Sequence, residues 1–197
     1  IKRSDERLSL GNHKALDWEL VKRRRDLSEI FPVWFRLGQM VPDMPVPQGG
    51  AAEFLKPYDK LEVVPNFLKM FLSGFEGMLV PRAADNDFQG IVETELSGCP
   101  LGLLTQGSKL IRALFFQEVH DGFSFLPCLP PQFHAGRFLR LSTSFGDTID
   151  LEWSKKILRR VIIRPGMTRE VRCHFQKAIK SLRGNGKRVS VETPFLL

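Results

Sequence analysis

Along the first 118 residues the apolar positions recur at helical spacing, and along the remainder they alternate. Trp18, Val21, Leu27 and Ile30 share one face of a helix over residues 17–30, with the basic run Lys22-Arg23-Arg24-Arg25 on the solvated side. Pro32 is expected to stop that helix, because its ring lacks an N–H and collides with the preceding turn, and residues 34–40 read as a second short helix. Pro42, Pro45, Pro47, Gly49 and Gly50 then impose a loop. An apolar helix follows over 66–75, and an irregular stretch over 77–100 contains the polar knot Asp85-Asn86-Asp87. Residues 103–117 form an amphipathic helix, with Leu103, Leu104, Leu110, Ile111, Leu114 and Phe115 on its apolar side.

After His120-Asp121-Gly122 the period drops from 3.6 to 2. Phe123 and Phe125 alternate with polar neighbours. Ile149, Leu151 and Trp153 alternate with Asp150 and Glu152, and Val171, Cys173 and Phe175 with Arg172 and His174. Phe138, Leu139 and Leu141 mark a further strand, and Val161, Ile162 and Ile163 a more fully apolar one. Gly146-Asp147 and Gly184-Asn185-Gly186 supply hairpin turns. Helices first and about six short strands afterwards predict an α+β fold: an N-terminal helical region over 1–118, then a small antiparallel β-sandwich or sheet domain over 119–197.

Composition adds the nature of the core. Sixteen Phe against one Tyr among 197 residues point to aromatics that fill an interior, because a Phe ring has no polar tip for water. The richest apolar run, 63–80, is broken by Pro65, Asn66, Lys69, Gly74 and Glu76, so no membrane span is expected. Cys99, Cys128 and Cys173 are odd in number and far apart, which suits small apolar side chains in a reducing, cytoplasmic setting better than a disulfide framework. The chain opens on Ile1 and a polar stretch with no leader in view, which suits part of a longer chain.

Charge is unevenly spread. Residues 137–189 hold fourteen Lys and Arg against four Asp and Glu, a net of +10, whereas residues 1–136 have a net of −2. Arg137, Arg140, Arg159, Arg164 and Arg172 alternate with apolar positions on expected strands, as on the wet face of a sheet. No aromatics are interleaved with them, so a solvated face is preferred to a nucleic-acid footprint.

Several chemistries lack their residues. There is no phosphate-binding P-loop, no G-x-S-x-G elbow and no H-E-x-x-H pair, and His13, His120, His134 and His174 are scattered, so neither a metal nor a cofactor is expected. Loop carboxylates remain. Glu53 precedes Phe54, whose ring would raise its pKa by desolvation and keep it protonated as an acid. Asp85 and Asp87 flank Asn86, whose amide would help a carboxylate stay ionised as a base.

Four ordered blocks carry a resemblance: the 110–117 helix end, Phe125-Leu126-Pro127-Cys128-Leu129-Pro130, the Gly136–Leu141 run and Ile149-Asp150-Leu151-Glu152-Trp153. They resemble the C-terminal end of glycoside hydrolases with an (α/α)6 barrel, closest to the inverting α-L-fucosidase family. Pro81, Asp85, Phe88 and Gln89-Gly90 fall in step with that family's aspartate signature, and Trp34…Leu37…Pro42…Glu53 is similar to the run that leads to its acid. The resemblance implies Glu53 as general acid, Asp85 as the group polarising the attacking water, and Asn86, Asp87 and Trp34 as carbohydrate-binding residues. For inversion the two carboxyls would stand about 6.5–9.5 Å apart. Three or four helices are fewer than six helix pairs require. The chain is therefore expected to be a fragment or reduced relative of such an enzyme, with other parts of a longer chain among its partners. The alternative is a non-catalytic binding or assembly module whose basic β domain docks a protein or anionic partner.

Overall fold

A computed structural model describes residues 6–11, 27–56, 62–72, 83–84, 91–92, 98–189 and 195–196. Helix α1, Leu27–Met40, buries Leu27, Ile30, Phe31, Trp34, Phe35 and Gly38 along one stripe. Pro32 lies inside this helix and does not end it, contrary to the sequence expectation. An interior proline costs about 3 kcal/mol, but each buried large apolar side chain returns about 1.5–3 kcal/mol, and five of them flank the proline. The proline-rich stretch that follows is a loop, as expected, and leads into a short 3-10 helix, Gly50–Leu55. Helix α2, Val63–Leu72, buries Val63, Val64 and Phe67, and Phe67 meets Phe31 edge-on at 4.9 Å.

Strands β2 (Ala83–Ala84) and β3 (Ile91–Val92) pair with each other. Helix α3, Leu101–Phe115, then crosses α1 at close range: a Cβ on Gly38 would collide with the Leu104 carbonyl and Ser108, and one on Gly107 with the Trp34 indole. The Ser108 hydroxyl donates to the Phe35 carbonyl at 3.3 Å across this crossing. The sequence pattern carries α3 to residue 117. In the structure it ends at Phe115 and becomes strand β4, Phe116–Val119, without a loop. The apolar stripe continues across the junction because Phe116 turns toward another ring group of the same core, against Phe123 at 5.6 Å and Phe125 at 5.7 Å.

The chain is α+β, with helices mostly first and largely antiparallel sheets after them. One sheet has the order β1-β6-β7-β8, from Arg7–Leu10, Gly136–Ser142, Thr148–Ser154 and Ile157–Arg164. Its inner face carries Leu8, Leu10, Phe138, Leu141, Ile149, Leu151 and Trp153, all buried. A second sheet has the order β12-β9-β5-β4, adding Gly122–Phe125 (β5), Glu170–His174 (β9) and Phe195–Leu196 (β12), with β5 and β9 parallel. Strands β10 (Leu182–Gly184) and β11 (Lys187–Val189) form a separate ribbon turned by Asn185-Gly186, both at positive φ. A two-residue turn with this geometry matches strand twist. The β7–β8 hairpin uses the same device with Lys155 and Lys156, at φ 52° and 59°, where no glycine announces it.

Rings tie the helices to the first sheet: Phe35 meets Phe138 edge-on at 4.9 Å, and Phe115 stacks on Trp153 at 5.1 Å. The expected boundary at 118 falls inside β4, and the N-terminal β1 belongs to the first sheet. Among the described residues no helix is long and apolar enough to cross a membrane.

Candidate functional site

Glu53 sits in the 3-10 helix, exposed, with its carboxylate paired to Lys56 and accepting the Gly49 N–H at 3.3 Å. The Lys56 ammonium, placed one turn on, holds the Glu53 pKa below the usual carboxylate value against the opposing effect of burial. That is opposite in direction to the desolvation expected from Phe54, and it keeps Glu53 ionised. Asp85, Asn86 and Asp87 lie outside the described residues. Trp34 is 4% exposed and packs edge-on to Phe67 at 5.2 Å, so its indole fills the helical core and offers no open face to a sugar.

A cleft of about 340 Å³ opens between β1 and α1, lined in part by Glu6, Ser9 and Arg36. Glu6 at its wall has a structural task. It accepts the Ser142 N–H and hydroxyl, each at 2.8 Å, and the Arg112 guanidinium at 3.3 Å, joining β1, β6 and α3. Arg112 also donates to the Ser142 carbonyl at 2.6 Å. Burial pushes the Cys173 thiol up to about 12, which removes it as a nucleophile near neutral pH. Among the described residues no group of three or more His, Cys, Asp or Glu could hold a metal ion.

Asp147 is fully buried and stitches the β6–β7 turn to the β8–β9 connection. It accepts both arms of Arg169, the Gly166 N–H at 2.9 Å and the Thr143 hydroxyl at 2.9 Å. The Arg169 guanidinium, outweighing burial, brings its pKa down to about 2. This carboxylate is a clamp with its lone pairs taken.

The outward face of the first sheet is the charged surface. Its register sets Arg137 opposite Glu152 and Glu152 opposite Arg160, three exposed side chains in one row. In the next row Asp150 gathers two arginines: it accepts the N–H of Arg140, the bulged residue at φ 58°, at 2.7 Å, and pairs with Arg164 at 2.8 Å. Burial raises the Asp150 pKa, but these bonds outweigh it and the net direction is down. Arg159 is the extra residue of a second bulge, and its guanidinium donates to the Ser154 hydroxyl at 2.9 Å. Beyond Arg160 no described strand continues the sheet, because β8 is last in its order among the described residues. The separate β10–β11 ribbon carries exposed Arg183 and Arg188, opposed in register, and Lys187.

Of the residues singled out in the sequence, Arg137, Arg140 and Arg164 thus gather on one face. Arg160 and Glu152 complete that face and were not singled out. Their signal was the alternation of Asp150 and Glu152 beside an arginine-rich strand, which fixes a face but not a row. The chain matches no protein-family model and none of the curated proteins.

Proposed function

We propose that the chain is a non-catalytic docking module whose basic β portion holds an acidic protein partner. One observation carries this reading: a row of exposed charge, Arg137–Glu152–Arg160, runs to a sheet edge that no described strand covers. The net charge of +10 over residues 137–189 steers acidic partners toward that face. The resemblance to inverting glycoside hydrolases supports a second reading, with carbohydrate as ligand, but the Lys56 pairing of Glu53 disfavours the protonated form an acid requires.

Poly-L-glutamate is a suitable probe, followed by fluorescence anisotropy. Binding is expected to weaken with added salt, and the double replacement Arg137→Glu with Arg160→Glu is expected to lower affinity about tenfold or more, since like charges then face the ligand. The thermal midpoint should fall modestly, because the double variant flanks Glu152 with like charge on both sides, so affinities are compared well below it. Unchanged affinity in the double variant would remove the docking reading. Turnover of an aryl glycoside that Glu53→Gln abolishes would replace it with the glycosidase.

A further inference from the structure

We infer that the free edge of β8 takes up an extended acidic segment as an added strand, with carboxylates facing Arg160 and Arg164 and apolar side chains facing Val161 and Ile163. This deepens the docking reading and rests on it.

Three observations converge on that edge. The first is its backbone. Strand β8 ends the order β1-β6-β7-β8, so the N–H and C=O groups along its outer side have no sheet partner among the described residues. Proteins commonly blunt such an edge by making it short, by inserting a proline, by a bulge or by charge, and β8 carries only the last two. Strand β8 is eight residues long and proline-free, and its one irregularity is the bulge at Arg159. From Arg160 to Arg164 it runs in unbroken register with β7, from Glu152 opposite Arg160 to Thr148 opposite Arg164.

The second is burial. On the neighbouring strand Ile149 and Leu151 are fully buried, whereas their partners Ile163 and Val161 are only half-buried, as is Ile162 on the other face. A further strand would cover the inner pair and extend the core by one column.

The third is charge. From β6 to β8 the row reads Arg137, Glu152, Arg160, alternating in sign strand by strand, and the next place in the row is empty among the described strands. Opposite charges directly across a strand pair are favourable and like charges are not. A carboxylate continues the alternation; a basic residue there would be repelled. Arg164 reaches Asp150 through Nη1 and is 55% exposed, which leaves guanidinium donors for a second carboxylate. The complementary segment therefore reads acid, apolar, any, apolar, acid. That pattern is the same from either end and holds for both strand directions. A second copy of β8 does not satisfy it, since residues 157–164 contain no acid.

The test uses a fluorescein-labelled peptide, Thr-Glu-Val-Thr-Val-Glu-Thr, beside a scramble of the same composition, Glu-Glu-Thr-Thr-Val-Val-Thr, and poly-L-glutamate. The patterned peptide is expected to bind about tenfold tighter than the scramble and to slow amide hydrogen exchange within 160–164. Arg160→Glu is expected to cancel that preference and to favour a peptide with Lys in place of one Glu, the Lys facing position 160 and the remaining Glu facing Arg164. If Arg160→Glu does not fold, Arg160→Gln with the same two peptides decides. Equal affinity for pattern and scramble, with poly-L-glutamate still bound, overturns strand addition and leaves the docking reading standing. Loss of poly-L-glutamate binding as well overturns both. A dimer that forms through β8 and excludes the peptide overturns the acidic segment in favour of a second copy.

Discussion

Asp147→Ala is expected to destabilise the fold by about 3–5 kcal/mol, the range for removing one partner of a buried ion pair. The loss leaves the partly buried Arg169, 17% exposed, without its anion, and it removes the acceptor that the Gly166 N–H and the Thr143 hydroxyl use. Urea unfolding of parent and variant measures it as a shift in midpoint; a loss below about 1 kcal/mol would mean that water replaces the clamp. The same group gives a pH signature. Its folded pKa of about 2 lies below the ordinary value of 3.8, so its contribution is fully present above about pH 4 and is lost as the pH falls through the folded value. A shift of that size corresponds to about 2 kcal/mol. The parent should therefore lose stability between about pH 4 and pH 2 more steeply than Asp147→Ala, which has nothing to titrate at this place.

Trp153→Ala is the second large effect, about 3–5 kcal/mol for an aromatic removed from a packed core. Trp153 is 1% exposed, stacks on Phe115 with an interplanar angle of 24°, and donates its Nε1–H to the Phe133 carbonyl at 3.1 Å. Its ring also packs over Gly136, where any Cβ would collide with it. Trp153→Phe keeps much of the apolar area but abandons the Phe133 carbonyl, and is expected to cost about 1–3 kcal/mol. Because Phe115 ends α3 and Trp153 lies in the first sheet, thermal unfolding followed by far-ultraviolet and near-ultraviolet circular dichroism should give the same midpoint by both probes in each protein, lower in the variant than in the parent. Two separated midpoints would mean that 1–118 and 119–197 unfold as independent units.

The long amphipathic helix and most strands were legible because each repeats its own period for long enough to define a face. What escaped was short or decided at a distance. Leu8 and Leu10 alternate over only four residues in β1, and that strand exists because β6 pairs with it. Phe116 continued a helical stripe, and its departure into β4 follows from the ring cluster of the second sheet. Lys155-Lys156 carries none of the residues that favour positive φ. There the backbone N–H of Lys156 donates to the His134 carbonyl at 2.9 Å, and the flanking strands fix the turn. At Pro32 the sequence displays the intrinsic cost of an interior proline but not the burial around it that outweighs that cost. For the site, the Lys56 partner of Glu53 was one helical turn away and legible in principle. The partner of Asp147 is twenty-two residues on, beyond any local pattern. The Arg137–Glu152–Arg160 row depends on two bulges that shift the pairing, which facing alone does not disclose.

The absence of any connector between Phe115 and Phe116 has a consequence for how this chain can be rearranged. One residue inserted there would rotate everything before it by about 100° or exchange the two faces of everything after it. Either change takes a phenylalanine out of its core. Length at this junction is therefore fixed to the residue, and a chimera must inherit the last helix together with the sheet that follows. Swaps and tags are better tolerated at Pro42 and Asp43, exposed at the start of the proline-rich loop, than at Pro45 and Pro47, which lie against Gly102 of the last described helix.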